Sequence, residues 1–229
     1  MSKALVILSG GQDSTTCAAI ACQQFDEVCA ITFNYGQRHS IEIESAKDVG
    51  FRLGIKQHEF IDIPHILIGS SPLISSTRLG QYDSAEKLPT GVEPTFVYGR
   101  NLLFLILAAN RAAAWGVTDI FTGLSGEDFG GYPDCRDVFV EAMQLALNQG
   151  FYGTPNGFTI HTPLMYITKA SSVKLAVDVL GDRFSEIFSL THTCYAGVKG
   201  GCGKCHACIL RDRGFTEAGI KDPIWSFRV

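Results

Sequence analysis

At 229 residues the chain can bury one large core and carry a small appendage beside it. Hydrophobic residues make up 46% and charged residues 18%, which excludes a disordered chain. A formal charge of -4 offers no general attraction to phosphate backbones or anionic lipid, so nucleic acid and membrane surfaces are excluded as primary partners.

In chain order, residues 4–8 form an apolar strand pattern and residues 14–24 a helical one; strand 28–33, helix 40–53 and strand 58–63 follow. This alternation predicts an α/β fold with a doubly wound parallel sheet. Between 64 and 95 the pattern dissolves into Ser, Gly and Pro, longer than the ~12–15 residues of an inert connection, so the segment is expected to be functional, as a lid over a site, or mobile. Helix 101–115, stopped by Gly116, strand 119–123, helix 134–148, strand 159–162 and helix 169–180 complete the pattern. The last forty residues, rich in Cys, Gly, Lys and Arg, read as a separate small segment. The expected division is 1–190 and 191–229. No apolar run approaches the ~20 residues that span a bilayer, and Met1-Ser2-Lys3 leads straight into a core strand, so the expected location is the cytoplasm.

The turn after the first strand reads Ser9-Gly10-Gly11-Gln12-Asp13-Ser14. A Walker loop requires a lysine, and none lies between Lys3 and Lys47. A dinucleotide loop requires a third glycine where Ser14 stands and an acidic residue about 20 positions on, absent at 32–35. What remains is a loop whose glycines admit an anion close to the backbone, whose hydroxyls donate hydrogen bonds, and whose helix N-terminus adds positive dipole. Helix capping alone would not call for two glycines after a buried strand.

Of eight cysteines, Cys194, Cys202, Cys205 and Cys208 form C-x7-C-x2-C-x2-C among glycines. Four soft thiolates suit tetrahedral Zn²⁺ with no open position, a structural site; an iron–sulfur cluster and a redox pair are the rival uses of the same residues. Cys17, Cys22 and Cys29 fall in apolar patterns and read as small core residues. Cys135 lies on a turn before a helix, where packing and a reactive thiolate are both open.

Ser9 to Ser14 resembles the pyrophosphate-binding loop of the ATP pyrophosphatase superfamily, which implies an adenine-nucleotide alpha-hydrolase-like fold. Together with Phe33–His39, Phe96-Val97-Tyr98-Gly99-Arg100-Asn101, Gly131–Arg136, Thr162-Pro163-Leu164-Met165 with Lys169, and the terminal cysteines, the chain resembles the 7-cyano-7-deazaguanine synthase family. The resemblance implies ATP-dependent conversion of 7-carboxy-7-deazaguanine and ammonia to the nitrile through an adenylated acid and then an activated amide. It implies ATP held by Leu8, Ser9, Gly10, Gly11, Gln12, Asp13, Ser14, Thr15 and Thr16, with Asp13 organising Mg²⁺ and Thr32, Phe33 and Asn34 holding adenine. Arg100 and Lys169 would be the catalytic cations. Tyr35, Gln37, His39, Asn101, Tyr132 and Asp134 would meet the deazaguanine, the four terminal cysteines would hold Zn²⁺, and the chain would form a homodimer. Where the family pattern has proline, this chain has Tyr98, and its tail stops soon after Trp225. Three products therefore stay open: the nitrile, the amide, and a conjugate with another amine, even one on a protein. A nucleotide-binding protein without turnover is the rival from another class.

Overall fold

The computed structural model describes residues 1–38, 40–89, 91–126, 132–152 and 157–224. Its centre is a parallel sheet of β1 (Lys3–Ile7), β2 (Glu27–Asn34), β3 (Gln57–Asp62), β4 (Asp119–Phe121) and β5 (Thr159–His161), in the order β3-β2-β1-β4-β5. The chain winds outward from β1 to β3, then returns to place β4 on the other side of β1. The carboxyl ends of β1 and β4 therefore open a crevice at the point where the winding reverses, the usual ligand position in such sheets.

The strands read as continuous apolar runs because both faces are covered. Along β1 the side chains alternate: Ala4 and Val6 pack with α1 (Gln12–Gln24), α2 (Ile41–Leu53) and α6 (Phe184–Ser189) through Ala18, Ala21, Ala46, Val49 and Ile187. Leu5 points to the opposite face, against α3 (Arg100–Trp115) and α4 (Asp137–Gly150) through Leu105, Ala108, Ala109, Val140 and Met143. Alanines on α3 let the helix lie close to the sheet, and Gly116 stops it in the left-handed conformation, returning its N–H to Ala112 and Ala113. Thr168 caps α5 (Lys169–Leu180), its Oγ1 accepting from the Ser171 amide at 3.1 Å.

The structure departs from the sequence reading at several ends. β4 stops at Phe121, two residues early, because the following glycine turns against the start of α1. Residues 133–135 form a 3-10 turn, so α4 begins at Asp137. α6 and α7 (His206–Ala218) had no periodic signal. α7 packs along α5, and its Phe215 completes a core with Val173, Ala176, Phe184 and Phe188. Within the segment expected to be a lid or mobile, the described residues are tied to the body: Ser71, Leu73, Glu93 and Thr95 are buried, and the Tyr82 amide donates to the Lys204 carbonyl at 2.7 Å. No helix among the described residues is long and apolar enough to cross a membrane.

Candidate active site

The turn after β1 is shaped by its own side chains. Ser14 Oγ donates to the Gly11 carbonyl at 3.1 Å, accepts from the Ser9 amide at 3.2 Å and lies 3.0 Å from Ser9 Oγ. Gly10 has φ +82°, and a Cβ there would stand 2.5 Å from the Glu42 carbonyl and 2.6 Å from the Ala46 nitrogen. The first turn of α2 thus lies directly on the loop, which only glycine allows. On the other side the His192 amide donates to the Gly10 carbonyl at 2.9 Å. The opening residues of α1, whose amides have no carbonyl ahead of them, line the crevice as Gln12, Asp13 and Ser14.

Across that crevice α5 delivers Lys169, whose Nζ donates to Asp13 Oδ2 at 2.8 Å while only 2% of its side chain is exposed. Gly214 of α7 passes so close that a Cβ there would lie 2.9 Å from Lys169 Cβ. α7 therefore sets the position of the lysine. A cation and an anion, 156 residues apart in sequence, meet beside the loop.

Both groups line a cavity of ≈ 240 Å³. Leu8, Ser9, Gly11, Gln12 and Ser14 form its floor with Asp13 and Lys169; Thr32 and Phe33 close it at the end of β2. Gln12 is buried, and its Oε1 has no hydrogen-bond partner among the described residues. The opposite wall carries Tyr35, Gln37, Arg100, Asn101 and Tyr132. Burial draws the Arg100 pKa down, yet Tyr35, Tyr195 and Cys135 outweigh it and raise the pKa above its ordinary value, so the guanidinium is a permanent charge. Tyr132 is held by a hydroxyl contact of 2.7 Å to Thr95 and by Glu93, whose Oε2 also takes the Thr95 amide at 2.7 Å. The long segment before α3 therefore fixes one wall of the cavity.

Several residues singled out from sequence lie off the cavity lining or are held by neighbouring groups. Thr16 Oγ1 donates to the Gln12 carbonyl at 2.9 Å inside α1, and Gly10, Thr15 and Thr16 do not line the cavity. Asn34 Nδ2 donates to Asp62 Oδ1 at 2.8 Å, tying β2 to β3 away from the cavity lining. Asp134 is buried behind the wall, where burial raises its carboxyl pKa and its carbonyl accepts from Asn101 Nδ2 at 3.3 Å. Gln37 reaches the lining but folds its amide onto its own loop, accepting from the Tyr35 amide at 2.9 Å and donating to the Phe33 carbonyl at 3.2 Å. Cys135 lines the cavity with its thiol 3.7 Å from Asn101 Nδ2. His39 and Trp225 lie outside the described residues.

The sequence reading missed Glu42, Ser125, Thr193 and Tyr195, which all line the same cavity. Glu42 sits in the first turn of α2, where an acidic residue is common for helix-dipole reasons, so nothing in its spacing marks it.

The four terminal cysteines converge on one point. Their sulfurs lie within 4.8 Å of one another, close to the edge of about 3.8 Å that a tetrahedron with 2.3 Å metal–sulfur bonds requires. Backbone amides already point at the sulfurs, Cys202 N to Cys194 Sγ at 3.4 Å and Cys205 N to Cys202 Sγ at 3.3 Å. Thiol donation from Cys205 and Cys208 holds Cys194 far below the usual thiol range, while hydrogen bonding to Cys194 pushes Cys208 up to about 12. The donor set fits one soft divalent ion.

The profile of the family described as "Queuosine biosynthesis protein QueC" matches residues 3–219. The 7-cyano-7-deazaguanine synthase of Gloeobacter violaceus (strain ATCC 29082 / PCC 7421) is 65% identical over 228 residues, covering 100% of this chain and 97% of that protein. Among solved structures, that of a predicted tRNA methyltransferase subunit from Methanocaldococcus jannaschii DSM aligns with a TM-score of 0.52 and 21% identity over 78% of this chain and 76% of that one, a likeness of fold.

Proposed function

The chain belongs to the queuosine biosynthesis protein QueC family, and from that premise we propose which of its residues perform the reaction. It converts 7-carboxy-7-deazaguanine, ammonia and ATP to 7-cyano-7-deazaguanine, releasing AMP and pyrophosphate, and so acts as a carbon–nitrogen ligase. A carboxylate repels nucleophiles by its charge; joining it to AMP removes that charge and supplies a leaving group. Ammonia then gives the amide, and a second activation at the amide oxygen leads to the nitrile.

In this reading the amides at the start of α1, with Ser9, Gly11 and Ser14, bind the β- and γ-phosphates, and Thr32 with Phe33 borders the adenine. Lys169, held by Asp13, takes up charge that develops on the departing pyrophosphate, and Arg100 meets the substrate acid from the facing wall. Mg²⁺, when bound at Asp13, would neutralise further phosphate charge. Tyr35, Asn101 and Tyr132 border the deazaguanine, while Asn34, Asp134 and Gln37 brace the surrounding loops. Tyr98 is 73% exposed and absent from the cavity lining, which supports an unaltered acceptor pocket and the nitrile as product.

The thiol spacing supports a single Zn²⁺ at Cys194, Cys202, Cys205 and Cys208, closed to substrate, over a multi-iron cluster, which would spread its ligands. Residues 191–229 then act as a metal-stapled segment that holds α7 against Lys169, beside a catalytic unit of 1–190. Homodimerisation belongs to the same reading, supported by exposed Leu102 and Ile106 on α3, as does action in the cytoplasm.

The observation that carries this reading is the meeting of the anion-binding turn, the Asp13–Lys169 pair and Arg100 in one cavity. Mass spectrometry after incubation with 7-carboxy-7-deazaguanine, ATP, Mg²⁺ and ammonia separates nitrile, amide and protein adduct. Asp13→Ala is expected to abolish AMP formation; undiminished turnover would contradict the assignment.

A further inference from the structure

The reaction needs a third reactant that neither the phosphate loop nor Arg100 can bind. At neutral pH ammonia exists almost entirely as ammonium, a small cation with no lone pair to attack with. A site for it must offer a negative charge inside the cavity and must accept a proton. Glu42 meets the first need by position: it lines the cavity from the first turn of α2. Among the described residues its carboxylate has no hydrogen-bond or close ion-pair partner.

Asp13 is the other carboxylate in the lining, and His192 and His206 are imidazoles that offer no negative charge. Asp13 holds Lys169 at 2.8 Å, and the His192 ring Nε2 lies 2.9 Å from the Cys194 carbonyl oxygen. We propose that Glu42 is the ammonium-docking residue, whose carboxylate holds the incoming cation and takes its proton as it becomes the nucleophile. This rests on the function proposed above.

The step balances. Ammonium gives one proton to the Glu42 carboxylate, leaving neutral ammonia and a carboxylic acid. The ammonia lone pair forms the C–N bond at the acyl carbon, the C–O bond to AMP breaks, and AMP leaves with that electron pair. A second nitrogen proton passes to the departing phosphate, and Glu42 returns its own proton to solvent. Burial raises the Glu42 carboxyl above the ordinary carboxylate range, with Arg100 pulling it back, and its place in the cavity lining lets it take a proton and pass it on. The groups that act on it are Arg100 from α3, Tyr35 beyond β2 and Cys194 from the thiol cluster, while Asp13 from α1 shares the cavity lining; Glu186 of α6 is engaged at the far end of α2 by Arg52, at 3.0 Å.

Glu42→Gln keeps the shape and removes the charge. With this variant, KM for ammonium at pH 7 is expected to rise at least about tenfold. Hydroxylamine, uncharged at that pH, should intercept the acyl-adenylate at close to the wild-type rate, and ATP–pyrophosphate exchange driven by the acid alone serves as the ammonia-independent control. An unchanged KM for ammonium, or equal losses with ammonium and hydroxylamine, would overturn the proposal. Loss of exchange in both Glu42→Gln and Glu42→Asp would overturn it too, by making Glu42 a structural residue. Failure of the wild-type chain to form AMP would instead overturn the proposed function, and this inference with it.

Discussion

Gly10 and Gly11 are neighbours in the same turn, and replacing each by alanine should have opposite consequences. At Gly10 the new Cβ would meet backbone atoms of α2 at 2.5 and 2.6 Å, and the residue has φ +82°. The left-handed conformation costs an alanine about 1–2 kcal/mol. Overpacking against backbone that cannot rotate away adds about 1–3 kcal/mol. Gly10→Ala should therefore lose about 2–5 kcal/mol of stability, a fall in Tm of about 4–20 °C for a chain of this size. At Gly11 the backbone is extended, φ -79° and ψ 166°, and a Cβ would find its nearest atoms at 3.5 and 3.6 Å, in ordinary contact. Gly11→Ala should stay within about 1 kcal/mol of wild type. Gly11 lines the cavity while Gly10 does not, so the methyl at Gly11 should displace the nucleotide and slow AMP release by about 10- to 100-fold. Urea unfolding with a parallel AMP assay reads both effects. A Gly10→Ala protein as stable as wild type, or a Gly11→Ala protein that turns over normally, would refute the division of labour between packing glycine and ligand glycine.

Arg211 donates to both Asp222 oxygens, at 2.7 and 2.8 Å, and to the Thr191 and Thr193 hydroxyls, with both members of the pair almost fully buried. Arg211→Met leaves a buried carboxylate without its cation, still held by the Ile224 amide, and should cost about 3–5 kcal/mol in urea unfolding; adding Asp222→Asn should recover much of that, and no recovery would count against the charge argument. His58, whose Nε2 lies 2.8 Å from Thr32 Oγ1, is held by burial at a pKa of about 4 against an ordinary 6.5. The unfolded chain takes up this proton first as pH falls, so the contribution of His58 is intact above pH 6.5 and is lost progressively down to about pH 4. Discounted for partial exposure the loss is about 1–3 kcal/mol, and the stability of His58→Gln should decline less steeply across that window. For the thiol cluster, metal analysis should return about one Zn²⁺ per chain, falling to none in Cys202→Ser together with a lower Tm; iron in the wild-type sample would remove the zinc assignment.

How far the sequence reaches depends on how local each feature is. The turn after β1 is written in consecutive residues, because Ser9, Gly10, Gly11 and Ser14 build their conformation mainly from one another. The strands of the sheet are legible through apolar runs buried on both faces, and the cysteine set through its spacing. α7 was not legible. Polar residues Asp212, Arg213, Thr216 and Glu217 lie on its outer face, but it also buries His206 and Arg211 beside Ile209 and Phe215, so the inner face carries no clean apolar stripe, and its arginine is satisfied by partners from distant segments. Asn34 and Asp134 carry the right chemistry at promising positions, yet each is directed by tertiary neighbours into bracing the scaffold.

By itself the sequence determined the glycine turn after β1, the α/β alternation and the thiol set, since each follows from backbone preference and side-chain pattern along the chain. Only the tertiary structure decided that Lys169 meets Asp13, that Glu42 shares their cavity and that the segment before α3 anchors Tyr132. Those meetings join residues far apart along the chain, and packing of whole helices, which no local spacing encodes, selects the partner each side chain finds.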